Sequence, residues 1–133
     1  MRPVFADTSY YLALLSPGDV HHTKAVDLSR SLRPPIVVTE FVLIELANAL
    51  SRADTRHCFV DLLTHVRSDP TVTIVLASAE LFERGYQLYA HRPDKDWSLT
   101  DCISFVVMQN AGLKEALTAD RHFEQAGFQV LLK

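Results

Sequence analysis

The chain opens with P-V-F-A-D-T-S-Y-Y-L-A-L-L at residues 3–15, and this stretch decides the fold class. A short apolar run at residues 3–6 is followed by an aspartate, two hydroxyl residues and a segment with helical spacing at residues 9–15. The apolar run is too short for a helix and is typical of a strand. The stretch therefore predicts a strand that leads directly into a helix, with Asp7 at the junction.

The same unit recurs along the whole chain. Short apolar runs predict five strands, at residues 3–6, 35–38, 72–75, 116–118 and 128–132. Helical spacing predicts seven helices, at residues 9–15, 22–32, 40–51, 54–68, 79–91, 99–110 and 121–125. Such alternation calls for parallel strands joined by right-handed crossovers. The predicted fold is α/β, an open parallel sheet of about five strands with helices on both faces, in one domain over residues 1–133.

Composition limits the classes of function. The chain has 133 residues, of which 48% are apolar and 22% charged, as expected of a globular domain. Its net charge of −3 gives no general attraction to nucleic acid or membrane, so a polyanion would need a local basic patch or a metal. Two cysteines without a secretory leader indicate a cytoplasmic protein. No apolar stretch approaches the roughly 20 residues of a membrane helix.

Two acids follow predicted strands. Asp7 comes after the first strand, and Asp120 comes after the fourth, in A-L-T-A-D-R-H-F at residues 116–123. Ligands of open α/β sheets bind outside the carboxyl ends of the strands. Two carboxylates brought to this edge repel each other unless a cation lies between them. Either acid could instead be a plain helix cap.

Two further acids lie on predicted helices. Asp101 stands three residues after Ser98, which is the spacing of a capping box, but its helix is apolar on nearly every side and so belongs near the buried edge of the sheet. Glu45 shares one side of its helix with Asn48 and Arg52. That side is either a solvent-facing surface or part of a site.

Together these four acids predict one metal site. Asp7, Glu45, Asp101 and Asp120 offer the oxygen ligands that hard divalent cations prefer, so Mg²⁺ or Mn²⁺ is the expected occupant. The Cys/His spacing of a zinc site is missing. The histidines are interpreted as loop or helix residues and not as ligands: His21, His22, His57, His65, His91 and His122.

Four motifs carry a resemblance to a known family. They are D-T-S at residues 7–9, I-E-L-A-N-A-L at 44–50, S-L-T-D-C-I-S-F at 98–105 and A-L-T-A-D-R-H-F-E-Q-A-G-F at 116–128. In this order and at these intervals the chain resembles the PIN-domain nucleases, and most of all the toxin ribonucleases of VapC type. The resemblance runs from about residue 3 to the end, and the last motif is the most specific.

The resemblance implies a metal-dependent ribonuclease, the toxin of a toxin–antitoxin pair, with RNA as substrate and an antitoxin and a second copy as partners. It places Asp7, Glu45, Asp101 and Asp120 on the family's acid positions, where they would bind Mg²⁺ or Mn²⁺ for cleavage. Hydroxyl positions beside them fall on Thr8, Ser9 and Thr118. Three neighbouring acids leave the third and fourth positions open to reassignment: Asp94, Asp96 and Glu124.

Basic side chains are the candidates for phosphate contacts, with Arg52 foremost because of its place near Glu45. The others are Arg30, Arg33, Arg56, Arg92, Lys95 and Arg121. Trp97, Tyr10 and Tyr11 could stack on bases, although packing is the commoner role of such aromatics. The apolar segments 40–51 and 54–68 predict a homodimer.

Other functions remain open to different degrees. A phosphoacceptor receiver domain is disfavoured, because V-L-A-S at residues 75–78 offers no aspartate after the third strand. A phosphatase with an aspartate nucleophile is disfavoured, because Ser9 stands where its second acid would be. A stand-alone RNA-processing nuclease and a non-catalytic module that binds RNA or protein are the remaining alternatives.

Overall fold

The structure is a computed structural model that describes residues 2–133. Within these residues lie five strands: β1 Val4–Ala6, β2 Ile36–Thr39, β3 Val72–Val75, β4 Glu115–Leu117 and β5 Gln129–Val130. Seven α-helices lie between them: α1 Thr8–Leu15, α2 His22–Asp27, α3 Glu40–Ala49, α4 Arg56–Ser68, α5 Ala79–His91, α6 Leu99–Ala111 and α7 Arg121–Gln125. The predicted alternation of strands and helices is confirmed.

The strands form one sheet in the order β3-β2-β1-β4-β5, and every pair is parallel. From β1 the chain winds outward through β2 to β3, and it then crosses back past β1 to form β4 and β5. The order therefore reverses between β1 and β4. In open parallel sheets a crevice opens at such a reversal, outside the carboxyl ends of the two strands.

Several elements differ from the sequence prediction at their ends or in their helix type, three of them most clearly. The helix predicted at residues 22–32 changes at its middle from α2 to a π-helical turn, Leu28–Leu32, which ends at Arg33 with φ of 38°. Pro34 and Pro35 follow, and prolines cannot continue a helix. The strand predicted at 128–132 shortens to β5, because it pairs with β4 through two residues. The helix predicted to begin at residue 54 begins at Arg56.

The core centres on aromatic rings packed between the sheet and α6. Phe105 makes edge-to-face contacts with Trp97 and Phe123, each with ring centroids 5.0 Å apart, and Phe5 of β1 lies against Phe123. Residues 101–108 of α6 are all buried. Trp97, Tyr10 and Tyr11 are between 3% and 6% exposed, so the interpretation of these aromatics as packing residues is confirmed.

Helices α5 and α6 approach each other closely at a glycine. A Cβ built on Gly85 would lie 2.2 Å from Cγ1 of Ile103, well inside any real contact distance. Ile103 is itself buried, with its backbone 3.1 Å from the same point, so it has little room to move away. The glycine is therefore required by this helix–helix contact and not by backbone conformation.

Gly85→Ala is expected to destabilise the protein by about 1–2 kcal/mol, because an overpacking cost of about 2–3 kcal/mol exceeds the roughly 1 kcal/mol that alanine gains in helix propensity. Gly18→Ala is the matched control, since nothing lies within 4 Å of its Cβ position. Urea unfolding of both variants measures the difference. A Gly85→Ala protein as stable as Gly18→Ala would contradict the packing argument.

Among residues 2–133, no helix combines the length and the apolar character needed to cross a bilayer.

Candidate active site

Asp7 follows β1 directly at the crevice between β1 and β4. The register pairs Ala6 with Leu117, which brings Asp7 level with Thr118, the residue after β4. The Thr118 hydroxyl donates to Oδ2 of Asp7 at 2.9 Å, and Ser9 Oγ donates to the same oxygen at 3.2 Å. The Asp7 side chain makes no capping hydrogen bond to α1. The alternative interpretation of Asp7 as a helix cap is therefore wrong.

Burial makes the Asp7 carboxylate costly to ionise. Asp7 is 5% exposed, and loss of hydration raises its pKa to about 6. The hydrogen bond from Thr118 lowers the pKa, while the charges of Asp101 and Glu45 raise it further. Thr8, the residue after Asp7, donates to Glu45, which places that acid beside the same crevice.

Asp101, Asp120 and His122 form a compact group beside Asp7. Each residue offers one possible metal-ligand atom, a carboxylate oxygen or a ring nitrogen, and these three atoms lie within 4.8 Å of one another. Nδ1 of His122 is 3.1 Å from Oδ2 of Asp101 and 3.4 Å from Oδ1 of Asp120. Burial raises the pKa of Asp101, and the charge of Asp120 adds to this shift. Asp7 and Glu45 do not belong to this closest group among residues 2–133.

Helix caps fix the two acids of that group. Ser98 Oγ accepts from the Asp101 amide at 3.0 Å, and Asp101 Oδ2 accepts from the Ser98 amide at 3.2 Å, so the predicted capping box is confirmed. Asp120 caps α7 through Oδ1, which accepts from the His122 amide at 2.9 Å. Capping and ligand roles do not exclude each other, because each carboxylate has a second oxygen. Within residues 2–133, those second oxygens take no hydrogen bond.

Hydroxyl groups connect the acids to one another. Thr118 Oγ1 bonds to Asp7 and also accepts from the Asp120 amide at 3.0 Å, which links the acid after β1 to the acid after β4. Ser9 Oγ lies 3.0 Å from Thr118 Oγ1. Thr8 at the start of α1 donates to Oε1 of Glu45 on α3. All three predicted hydroxyl residues thus lie among the acids.

Thr118→Val is expected to lower the free energy of unfolding by about 1–3 kcal/mol, because the buried Asp7 carboxylate and Asp120 amide both lose a partner. Thr118→Ser is the matched control, since it keeps the hydroxyl and loses one methyl group. Thr118 is fully buried, so water cannot replace the lost hydroxyl. Urea denaturation in chelator measures both; a valine variant at least as stable as the serine variant would argue against the linking role.

Some predicted neighbours lie elsewhere. Helix α3 ends at Ala49, so the helical-face argument that placed Arg52 beside Glu45 is wrong. Arg52 is exposed and pairs with Asp54 at 3.0 Å. Asp94 pairs with Arg92, and Glu124 pairs with Lys133, both at the surface.

His122 is the site residue that the sequence interpretation missed. It lies two residues after Asp120, at the start of α7, and this spacing turns its ring back toward Asp101. The sequence carries no local signal for this contact, because residues two apart do not share a helix face. The sequence interpretation gave His122 no ligand role, and the structure places its ring within hydrogen-bonding distance of Asp101.

The donor set fits a hard divalent cation. Asp101 and Asp120 lie together with a single imidazole, and Thr118 links Asp120 to Asp7. Burial is the main cause of the raised pKa values of Asp7 and Asp101, so a bound cation would favour their ionised forms. Mg²⁺ and Mn²⁺ take such oxygen ligands, and Mn²⁺ also accepts imidazole nitrogen. The residues present therefore suit either ion.

Comparison with known proteins identifies the family. The family model of the PIN domain matches residues 4–129, so this chain belongs to the PIN-domain family. The 23S rRNA-specific endonuclease VapC20 of Mycobacterium tuberculosis is 30% identical over 125 residues, which cover 94% of this chain and 95% of that protein.

Solved structures agree with the fold. The crystal structure of Mycobacterium tuberculosis VapC20, described as a sarcin-ricin loop cleaving toxin, matches with a TM-score of 0.84 at 28% identity and covers 94% of this chain and 95% of its own. FitAcB from Neisseria gonorrhoeae matches with a TM-score of 0.64 at 17% identity and 96% coverage of both chains, which supports the fold alone. The α/β architecture and the sequence resemblance to VapC toxins are therefore confirmed.

Proposed function

We propose that this protein is a Mg²⁺- or Mn²⁺-dependent endoribonuclease that acts in the cytoplasm as the toxin of a toxin–antitoxin pair. The observation that carries the proposal is the group of carboxylates of Asp7, Asp101 and Asp120 at the crevice between β1 and β4, of which Asp7 and Asp101 are buried. The relative that is 30% identical is named a 23S rRNA-specific endonuclease, which supports RNA as the substrate and makes 23S rRNA the first one to assay.

In this proposal Asp7, Asp101 and Asp120 hold the ion, and His122 orients the last two carboxylates. A divalent ion in this crevice would supply a nucleophilic water at neutral pH and offset the negative charge that develops on the phosphate. Glu45, held by the Thr8 hydroxyl, orients water or contributes to a second ion site. Thr118 and Ser9 fix the Asp7 carboxylate so that it does not rotate away.

The test is cleavage of purified 23S rRNA with and without metal. Cleavage is expected in Mg²⁺ or Mn²⁺ and should stop in excess chelator. Asp101→Asn, purified in the same way, controls for contaminating nuclease because it keeps the hydrogen-bond acceptor of the capping box and loses the charge. Equal cleavage in chelator, or equal cleavage by the variant, would refute the metal-dependent mechanism.

The partners belong to the same proposal. VapC20, whose structure matches at 28% identity, is a sarcin-ricin loop cleaving toxin, which supports an antitoxin as a partner here. A homodimer is supported by Ile44 and Val60, which are 54% and 60% exposed on α3 and α4. Light scattering at tens of micromolar, an order-of-magnitude choice for a working interface, is expected to give the mass of two chains, and a monomer would count against the dimer.

A further inference from the structure

A cleft opens next to the carboxylate crevice, between the end of α5 and the start of α6. We call it the tyrosine cleft; it holds about 890 Å³, and its walls include Tyr86, Tyr89, Arg92, Lys95, Asp96 and Ser98. This volume lies within the roughly 300–1,000 Å³ typical of ligand sites. Ser98 is a wall of the cleft and the capping partner of Asp101, so the two features are contiguous.

Two tyrosine rings are available for stacking in the cleft. Tyr86 and Tyr89 are 46% and 50% exposed and lie three residues apart on α5, which puts them on the same side of the helix. Among residues 2–133, neither ring packs against another aromatic ring, in contrast to Trp97 and Phe105 of the core. Unpaired RNA bases stack on exposed rings of this kind.

Cationic side chains lie over the buried Trp97 ring in the same cleft. The Arg92 guanidinium is 5.1 Å from the ring centroid and is held by two 3.0 Å hydrogen bonds to Asp94. Lys95 Nζ is 6.0 Å from the same centroid, and within the described chain it forms no ion pair. Lys95 is thus the cation left to meet a phosphate.

The negative charge of Asp96 favours binding of a base over binding of a second phosphate in the tyrosine cleft. Asp96 also lines the cleft, and its carboxylate repels phosphate but accepts hydrogen bonds from the amino groups of bases. Stacking rings, one unpaired lysine and one acceptor match an unpaired nucleotide. They match a duplex poorly, because its bases are already stacked and paired.

From this arrangement we infer that the tyrosine cleft binds an unpaired nucleotide of the RNA next to the cleaved phosphate, with its base on Tyr86 or Tyr89 and its phosphate at Lys95. The inference rests on the proposed ribonuclease function. It assigns a binding site to a nucleotide of the substrate that the carboxylates do not contact. Specificity for single-stranded or looped RNA then comes from this cleft, because a paired base cannot enter it.

The test compares the Tyr86→Leu/Tyr89→Leu double variant with Phe82→Leu. Phe82 is 49% exposed on the same helix but lies outside the cleft, so it is a matched control for loss of an exposed ring. Binding is measured in chelator by fluorescence anisotropy, with a labelled single-stranded oligoribonucleotide of about ten nucleotides. The double variant should bind at least about tenfold more weakly, and phenylalanine at both positions should restore most of the binding.

Cleavage kinetics separate this inference from the function on which it rests. In Mn²⁺ the double leucine variant should raise KM by a similar factor and keep kcat within about twofold. If the wild type cleaves RNA and the double variant shows unchanged binding and KM, the inference about the tyrosine cleft is wrong and the proposed ribonuclease function still stands. A wild-type protein that neither binds nor cleaves RNA would overturn both. A change in the mass of the double variant by light scattering would assign the tyrosines to a contact between chains and also overturn the inference.

Discussion

Asp7→Asn is expected to abolish RNA cleavage and, in chelator, to leave the protein as stable as wild type or more stable. The variant keeps the shape of the side chain and the acceptor for Thr118, but it removes one negative charge from the crevice. Loss of the residues that orient metal ligands already costs about 10–100-fold in affinity or activity, so loss of a ligand should cost at least about a hundredfold.

The stability part of this expectation follows from the pKa of Asp7. Burial and the charges of Asp101 and Glu45 raise that pKa to about 6, so the ionised form destabilises the metal-free fold at neutral pH. Relief of this strain should add about 1–3 kcal/mol to the free energy of unfolding of Asp7→Asn at pH 7.5. In Mn²⁺ wild type should be the more stable of the two proteins, because metal binding stabilises wild type and the variant lacks this contribution.

Asp61→Asn is the matched control for this experiment. It removes the same charge from an exposed position on α4, away from the crevice. Thermal melts in chelator and in Mn²⁺, with cleavage assays on the same samples, measure all three proteins. An active Asp7→Asn protein, or one that melts well below wild type in chelator, would mean that Asp7 is structural.

The second large effect is a pH dependence of the metal-free protein. A carboxyl group whose pKa is raised on folding stabilises the fold at low pH, and this stability is lost as the pH rises through the folded pKa. For Asp7 the loss spans roughly pH 3.8 to a little above 6. In chelator, wild type should therefore become more stable as the pH falls from about 7.5 to about 5.

The difference between wild type and Asp7→Asn isolates this contribution, because the two proteins share every other titratable group. The difference in the free energy of unfolding between the two proteins should narrow by about 1–2 kcal/mol as the pH falls from about 7.5 to about 5. Urea unfolding at several pH values measures it. Parallel stability curves would indicate that the Asp7 pKa is ordinary.

Much of the fold could be predicted from the sequence. At least one helical segment separates every two successive short apolar runs, and a pattern of this kind has few solutions other than a parallel sheet. Asp7 and Asp120 could be placed at one edge because each follows a strand. The strand order, and with it the reversal between β1 and β4, depends on pairings that no local pattern contains.

Details that depend on tertiary contacts could not be predicted. The end of α3 at Ala49 is followed by a turn in which the Thr55 hydroxyl donates to the Leu50 carbonyl, so Arg52 leaves the helical face. His122 was missed because its contact with Asp101 forms only when α7 packs against α6, and no local pattern contains that packing. Exposed and buried aromatics have the same letters in a sequence, so Tyr86 and Tyr89 could not be distinguished from Tyr10 and Tyr11.

The central claim is that Asp7, Asp101 and Asp120 hold one divalent ion on which RNA cleavage depends. Anomalous diffraction from crystals grown or soaked with Mn²⁺ tests it most directly, on a preparation that cleaves RNA. We expect an anomalous peak coordinated by oxygens of these three carboxylates, and none at that place in Asp7→Asn crystals. Manganese at exposed acids alone, in a protein that still cleaves RNA, would contradict it.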